Sequence, residues 1–99
     1  MPLYRHGDVL VMTCPELPST ARERGGNVLA HGEVTGHSHQ FVPPENGQLF
    51  EDGAMLYLRV HAPVTLKHEE HGPIELPPAL YRVWRQREYT PEAVRTVID

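Results

Sequence analysis

An all-β fold, a small barrel or sandwich of roughly six to seven strands with a short C-terminal helix, is predicted by three observations. Apolar and polar residues alternate with period two along most of the chain, which is the mark of half-buried strands. Prolines and glycines, ten and eight of the 99 residues, cut that alternation into strand-length pieces. A helix start appears only near the end, in Thr90-Pro91-Glu92.

Asp8 to Thr13 reads as a strand buried on both faces, stopped at Cys14-Pro15. Glu16 to Gly26, with Pro18 and the Gly25-Gly26 pair, reads as a long polar connection. Asn27 to Val42 divides into two strand pieces at Thr35-Gly36, because a residue without a side chain suits a bulge or tight turn. Pro43 to Gly47 is a turn and Gln48 to Glu51 a short strand, and Asp52-Gly53 signals a hairpin into Ala54 to Val60. In that strand Leu56, Leu58 and Val60 should face the core and Met55, Tyr57 and Arg59 the other side. Ala62 to His68 places Val64, Leu66 and His68 on one face, and Leu80 to Glu88 opposes Tyr81 and Val83 to Arg82, Trp84 and Gln86. Thr90 caps a helix running to about Ile98, with Pro91 at its first position and Glu92 against the positive end of its dipole.

The length predicts one domain over residues 1–99 with a modest core. With 39% hydrophobic and 22% charged residues the composition is that of a soluble globular protein, and no stretch nears the ~20 apolar residues of a membrane span. Met1 to His6 lacks the apolar centre of a signal peptide, so a cytoplasmic location is expected. Cys14, the single cysteine, excludes an internal disulfide and a cysteine-rich metal cluster and reads as a buried, inert thiol. A net charge of -4 disfavours a nucleic-acid surface, although seven histidines would raise it in mild acid.

His37-Ser38-His39 carries the strongest functional signal. Two imidazoles at i and i+2 of an extended segment leave the backbone on one side, with Cβ atoms about 7 Å apart, and can converge on one ion. Phe41 shares their face and prefers burial, so both rings should point inward. His68 and His71, in Lys67-His68-Glu69-Glu70-His71, form a second pair, which converges only if the intervening glutamates bulge or turn. Its spacing is not that of the helical metalloprotease motif. Neutral imidazole is the commonest ligand for zinc, iron, copper and nickel, so His37, His39, His68 and His71 are the expected ligands of one divalent transition metal: zinc, iron, manganese or nickel. Glu33 or Glu70 would add a carboxylate ligand or a general base. His6, His31 and His61 have no supporting pattern and read as surface or hydrogen-bonded structural residues.

Gly32-Glu33-Val34-Thr35-Gly36-His37-Ser38-His39 resembles the first motif of the cupin superfamily, a glycine followed shortly by H-x-H, one residue short of the usual spacing. Gly72, Pro78 and Leu80-Tyr81-Arg82-Val83 are similar to the second motif. Cupins are small β-barrels whose H-x-H histidines bind iron, manganese, zinc, copper or nickel, so the resemblance implies ligation by His37 and His39. The chain departs from the pattern where the cupin glutamate is replaced by Pro43 and Pro44, with Glu45 one place late, and where Leu80 and Val83 stand for the glycine and histidine of the second motif. The blocks His6 to Leu10, Gly32 to His39 and His68 to Pro78 also resemble a group of short bacterial proteins with no activity to carry over.

Tyr81-Arg82-Val83-Trp84-Arg85-Gln86-Arg87 interleaves aromatics with arginines as single-strand nucleic-acid binders do, but reads first as an edge strand protected by charge, favoured by the acidic balance. No nucleophile elbow or phosphate-binding glycine loop occurs. The expectation is therefore a metal-binding β-barrel that activates water or dioxygen for a small-molecule substrate. Its rival is a non-enzymatic oligomeric interaction or regulatory module with structural or pH-sensing histidines. A homo-oligomer is expected in either case, because exposed Met55, Tyr57 and Trp84 would leave a large apolar surface on a small domain.

Overall fold

Two antiparallel sheets share one apolar core in the computed structural model, which describes the backbone of residues 3–31, 38–68, 72–85, 87–89 and 94–96, and the side chains of these except 31, 87–89 and 94–96. Twelve short strands occur among the described residues: β1 Leu3–His6, β2 Val9–Thr13, β3 Arg22–Arg24, β4 Val28–His31, β5 Ser38–Val42, β6 Gly47–Asp52, β7 Met55–Val60, β8 Val64–Lys67, β9 Ile74–Leu76, β10 Ala79–Arg85, β11 Arg87–Tyr89 and β12 Val94–Thr96. The larger sheet has the order β1-β2-β10-β7-β6-β3, the smaller β4-β5-β8-β9, and β11 and β12 pair by themselves. The all-β expectation holds. Among the described residues neither sheet closes on itself, so the architecture is a sandwich and the barrel is corrected.

Alternation explains the core. Val9 and Val11 of β2, Leu49 of β6, Leu58 and Val60 of β7, and Tyr81 and Val83 of β10 meet Leu29 of β4, Phe41 of β5, Val64 and Leu66 of β8 and Leu76 of β9. In β10 the register Tyr81 to Leu58 and Val83 to Leu56 aligns the inward residues of neighbouring strands, as the period-two pattern requires. Gly47 opens β6 where a Cβ would come within 2.8 Å of the Phe41 ring, so the absence of a side chain lets that ring reach the centre. Tyr81, fully buried, donates its hydroxyl to the carbonyl of Pro77 at 2.5 Å, and burial, with the neighbouring Tyr4 phenol, pushes its pKa up to about 12.

Two turns shape the larger sheet. Gly53 (φ 62°) takes the chain from β6 to β7, as Asp52-Gly53 predicted. Gly7 (φ 65°) does the same between β1 and β2, a hairpin the sequence reading did not include. β3 lies inside the stretch read as a connection, and β9 was also not anticipated.

The C-terminal helix is corrected. Val94–Thr96 is a strand paired with Arg87–Tyr89. Val94 and Thr96 are β-branched, and Val97 and Ile98 follow, so side-chain stiffness outweighs the capping signal of Thr90-Pro91-Glu92. The premise of the oligomer expectation also changes: Tyr57 is buried and Met55 and Trp84 are half-buried, leaving Leu3 as the exposed large apolar side chain among the described residues. Cys14 is half-buried, and burial raises its thiol pKa while the Arg82 guanidinium lowers it in part. No helix among the described residues is long and apolar enough to cross a membrane.

Candidate functional site: a buried histidine cluster

The Gly7 turn carries the chemistry. With Gly7 in the left-handed region and Asp8 outside it, the two-residue loop has the form of a II′ turn, which closes β1 on β2 so tightly that His6 pairs with Val9. Both residues flanking Gly7 are enclosed: His6 is 2% and Asp8 0% exposed. Across from them, β5 alternates so that His39 and Phe41 face inward together, both fully buried. His68, half-buried, follows immediately on β8, the neighbour of β5.

Three imidazoles from three parts of the sequence meet here. The His39 and His68 rings lie 4.3 Å apart at 36°, and His6 stands edge-on to both, at 5.0 Å from His39 and 6.2 Å from His68. His39 Nδ1 and His6 Nδ1 face each other at 3.0 Å. His6 Nε2 lies 3.1 Å from the carbonyl of Gly72, and His39 Nε2 lies 3.5 Å from Asp8 Oδ1. Asp8 Oδ2 in turn pairs with Arg85 Nε at 2.9 Å, so the buried carboxylate bridges an imidazole and a guanidinium.

One of these partners fixes a tautomer. The Gly72 carbonyl only accepts, so His6 Nε2 carries the proton and donates it. The contact from His39 Nε2 to Asp8 Oδ1, at 3.5 Å, is a charge contact too long for a hydrogen bond. With its proton on Nε2, His6 offers Nδ1 as an acceptor, and the 3.0 Å contact is a hydrogen bond in which His39 Nδ1–H donates. A metal ion in place of the proton between them would take both nitrogens as ligands.

The donors suit a metal in type. Each histidine already directs its other nitrogen to an outer acceptor, a carbonyl for His6 and a carboxylate for His39, which is the arrangement that orients metal-bound imidazoles. Metal–nitrogen bonds of 2.0–2.1 Å across a tetrahedral angle need the nitrogens about 3.3 Å apart, a widening of a few tenths. Among the described residues, however, no group of three or more His, Cys, Asp or Glu is arranged around one point to hold an ion. The facing Nδ1 atoms therefore make a two-nitrogen nucleus, with the His68 ring stacked alongside.

Of the expected site residues, the structure brings together His39 and His68. His37, His71, Glu33 and Glu70 lie outside the described residues. His6 belongs to the cluster, which corrects its reading as a surface group while keeping its hydrogen bond; His61 is exposed as expected, and the side chain of His31 is not described. Asp8 and Arg85 were not anticipated as site residues at all. The signal that could have found His6 and Asp8 is Gly7-Asp8 itself, a two-residue hairpin pair after the alternating Leu3-Tyr4-Arg5-His6.

A half-open cavity of about 160 Å³ is lined by Leu29 and Ala30 of β4 from the smaller sheet and by Val9, Leu56 and Val83 from the larger, with Arg85, the partner of Asp8, in its wall. Residues 5–86 match the family model described as Domain of unknown function (DUF8820), a span that includes His6, Asp8, His39, His68 and Arg85. No curated protein and no solved structure matches the chain.

Proposed function

We propose that this chain, which belongs to the DUF8820 family, is a binding protein for a divalent transition metal, held at its nucleus by His6 Nδ1 and His39 Nδ1. The observation that carries the reading is the 3.0 Å approach of two buried ring nitrogens, with the opposite nitrogen of His6 on the Gly72 carbonyl and that of His39 facing the Asp8 carboxylate. His68, stacked on His39, is the nearest further imidazole, and the sequence-based expectation adds His37 and His71. A metal bound there would supply Lewis acidity to a water or a small ligand. Asp8 holds the His39 ring and balances part of the added charge, and Arg85 fixes Asp8.

The competing occupant is a proton shared between the same nitrogens, which would make the cluster a structural, acid-responsive staple. Thermal unfolding separates the two. Metal-stripped protein should gain roughly 10–20 °C when zinc, manganese, iron(II) or nickel is added at about a hundredfold excess over its dissociation constant, and a chelator should reverse the gain. His39→Ala and His6→Ala should each abolish the response, and His61→Ala should keep it. If no metal moves the transition of the parent protein while its stability still changes through the histidine range of pH, the shared proton is the occupant and the metal reading is wrong.

A further inference from the structure

We infer that the outer face of the larger sheet docks single-stranded nucleic acid, with bases stacked on Phe50 and Trp84 and phosphates held by Arg5, Arg59 and Arg82. Alternation builds this face: Val9, Val11, Leu58, Tyr81 and Val83 go to the shared core, so their strand neighbours point the other way. The register then sets Arg82 opposite Tyr57, Tyr57 opposite Phe50, and both Arg5 and Trp84 opposite Leu10. Leu10 and Tyr57, buried but outside the core cluster, make the apolar floor. Two arginines lie over rings on this floor: Arg82 is 4.7 Å from the centre of the half-buried Trp84 ring, and Arg59 is 5.8 Å from that of the half-buried Phe50 ring. Rings and guanidinium planes are the two surfaces on which proteins stack unpaired bases.

Charge selects the partner. β10 is paired on both sides, with β2 and β7, which corrects the edge-strand reading of its arginines: they guard no edge. Arg24 and Arg85 each face a carboxylate, whereas among the described residues Arg5, Arg59 and Arg82 have none within ion-pair distance, and Arg82 Nε is buried without a hydrogen-bond partner. Glu23 and Asp52, the carboxylates that the strands place on this face, lie at its β3–β6 end and accept hydrogen bonds from Gln48 and Thr20. A second copy docked here about a two-fold axis would set the three guanidiniums against their own equivalents, a like-charge encounter. An anionic chain with planar groups meets both the charge and the rings, and a duplex hides its base faces, so a single strand fits best. The net charge of -4 repels nucleic acid from the rest of the molecule and confines binding to this face. His6 and His39 lie on the core side of the sheet, so the inference stands apart from the metal reading.

Anisotropy of a fluorescein-labelled oligothymidylate of about twelve nucleotides, titrated with the full chain at about 50 mM salt, tests the inference. Binding should saturate, with log affinity falling against log salt at a slope of about -2 for three phosphate contacts, and a duplex of the same length should bind about tenfold more weakly. Trp84→Leu should cost about fivefold or more through lost stacking. Because that half-buried ring also supports the sheet, the deciding variant is Arg59→Gln, at an exposed position. It should flatten the salt slope by about 0.7 and weaken binding about fivefold. Lys67→Gln, the same charge change at an exposed position of the smaller sheet, should do neither. Absence of saturable binding, a duplex bound as tightly as the single strand, or equal losses in Arg59→Gln and Lys67→Gln would each overturn the inference. Self-association by light scattering that Arg59→Gln alters would give the face to a second copy, and binding to phosphatidylglycerol vesicles in place of the oligonucleotide would give it to a membrane; either result overturns it too.

Discussion

Two hairpins of the larger sheet are built alike and used differently. β1–β2 turns at Gly7-Asp8 and β6–β7 at Gly53-Ala54, each with a glycine near φ 60° and each closing in two residues. In the second, the turn points to solvent: Gly53 and Ala54 are exposed, and Asp52 is half-buried and accepts a hydrogen bond from the Thr20 hydroxyl at 2.8 Å. In the first, the flanking His6 and Asp8 are enclosed by the opposite sheet. A II′ turn fixes strand direction and register. What lies across from it decides whether its polar residues are loop chemistry or the heart of a site.

The largest expected contrast is between the aspartates. Asp8→Ala removes the buried partner of Arg85 and His39 and should cost about 3–5 kcal/mol, as breaking buried ion pairs does, with the metal response lost. Asp52→Ala deletes an exposed hydrogen bond and should cost about 1 kcal/mol or less, with the response kept. Urea unfolding of both variants, with and without metal, measures this, and equal losses would show that the burial of Asp8 carries no energetic weight.

A smaller contrast lies in the glycines. Gly7→Ala and Gly53→Ala each force a side chain into the left-handed region, at about 1–2 kcal/mol by urea titration. Only Gly7→Ala should also weaken metal binding, since it displaces His6 and Asp8 together. If both variants titrate with metal like the parent, the turn is a connector in both hairpins.

The smallest effect is confined to alkali. Tyr4 of β1 packs edge-on to Tyr81 at 6.1 Å, and the Tyr81 pKa is pushed up to about 12 by burial and by Tyr4. A pKa raised in the folded state means stability fully present below the ordinary phenol value near 10 and lost as pH rises from there through about 12. Tyr81→Phe should flatten that decline. Amide exchange should show β1 loosening before β6–β7 as pH rises, and simultaneous loosening would remove the special position of the first hairpin.

Much of the fold was legible because strands advertise themselves: β5, β7, β8 and β10 follow from apolar residues at every second position, β2 from a continuous apolar run, and β6 from the turn signals on either side of it. β3, Arg22-Glu23-Arg24, has no apolar residue to alternate, and its pairing with β6 comes from the neighbouring strand rather than from its own pattern. The C-terminal segment misled because capping residues are local signals and the β-branched run after them acts through pairing. The site was half legible. His39 shows itself through Phe41, two residues on, and His68 through Leu66. His6 lies on the inward side of an alternating strand, but with Tyr4 as its one apolar companion there the period is too short to stand out in the sequence, and the Asp8–Arg85 pair spans the length of the matched domain, which no local pattern can reveal.

Trp84, the single tryptophan, stands next to Arg85 in sequence, shares the cavity wall with it and carries the Arg82 guanidinium 4.7 Å from its ring. Indole emission responds to nearby charge and to the polarity of its surroundings. The protein therefore contains its own optical reporter: excited selectively among the aromatics, one chromophore stands in the cavity wall next to the arginine that pairs with Asp8. Its colour and intensity should register occupation of that cavity without a label, in a molecule where every other fluorophore is a tyrosine or phenylalanine.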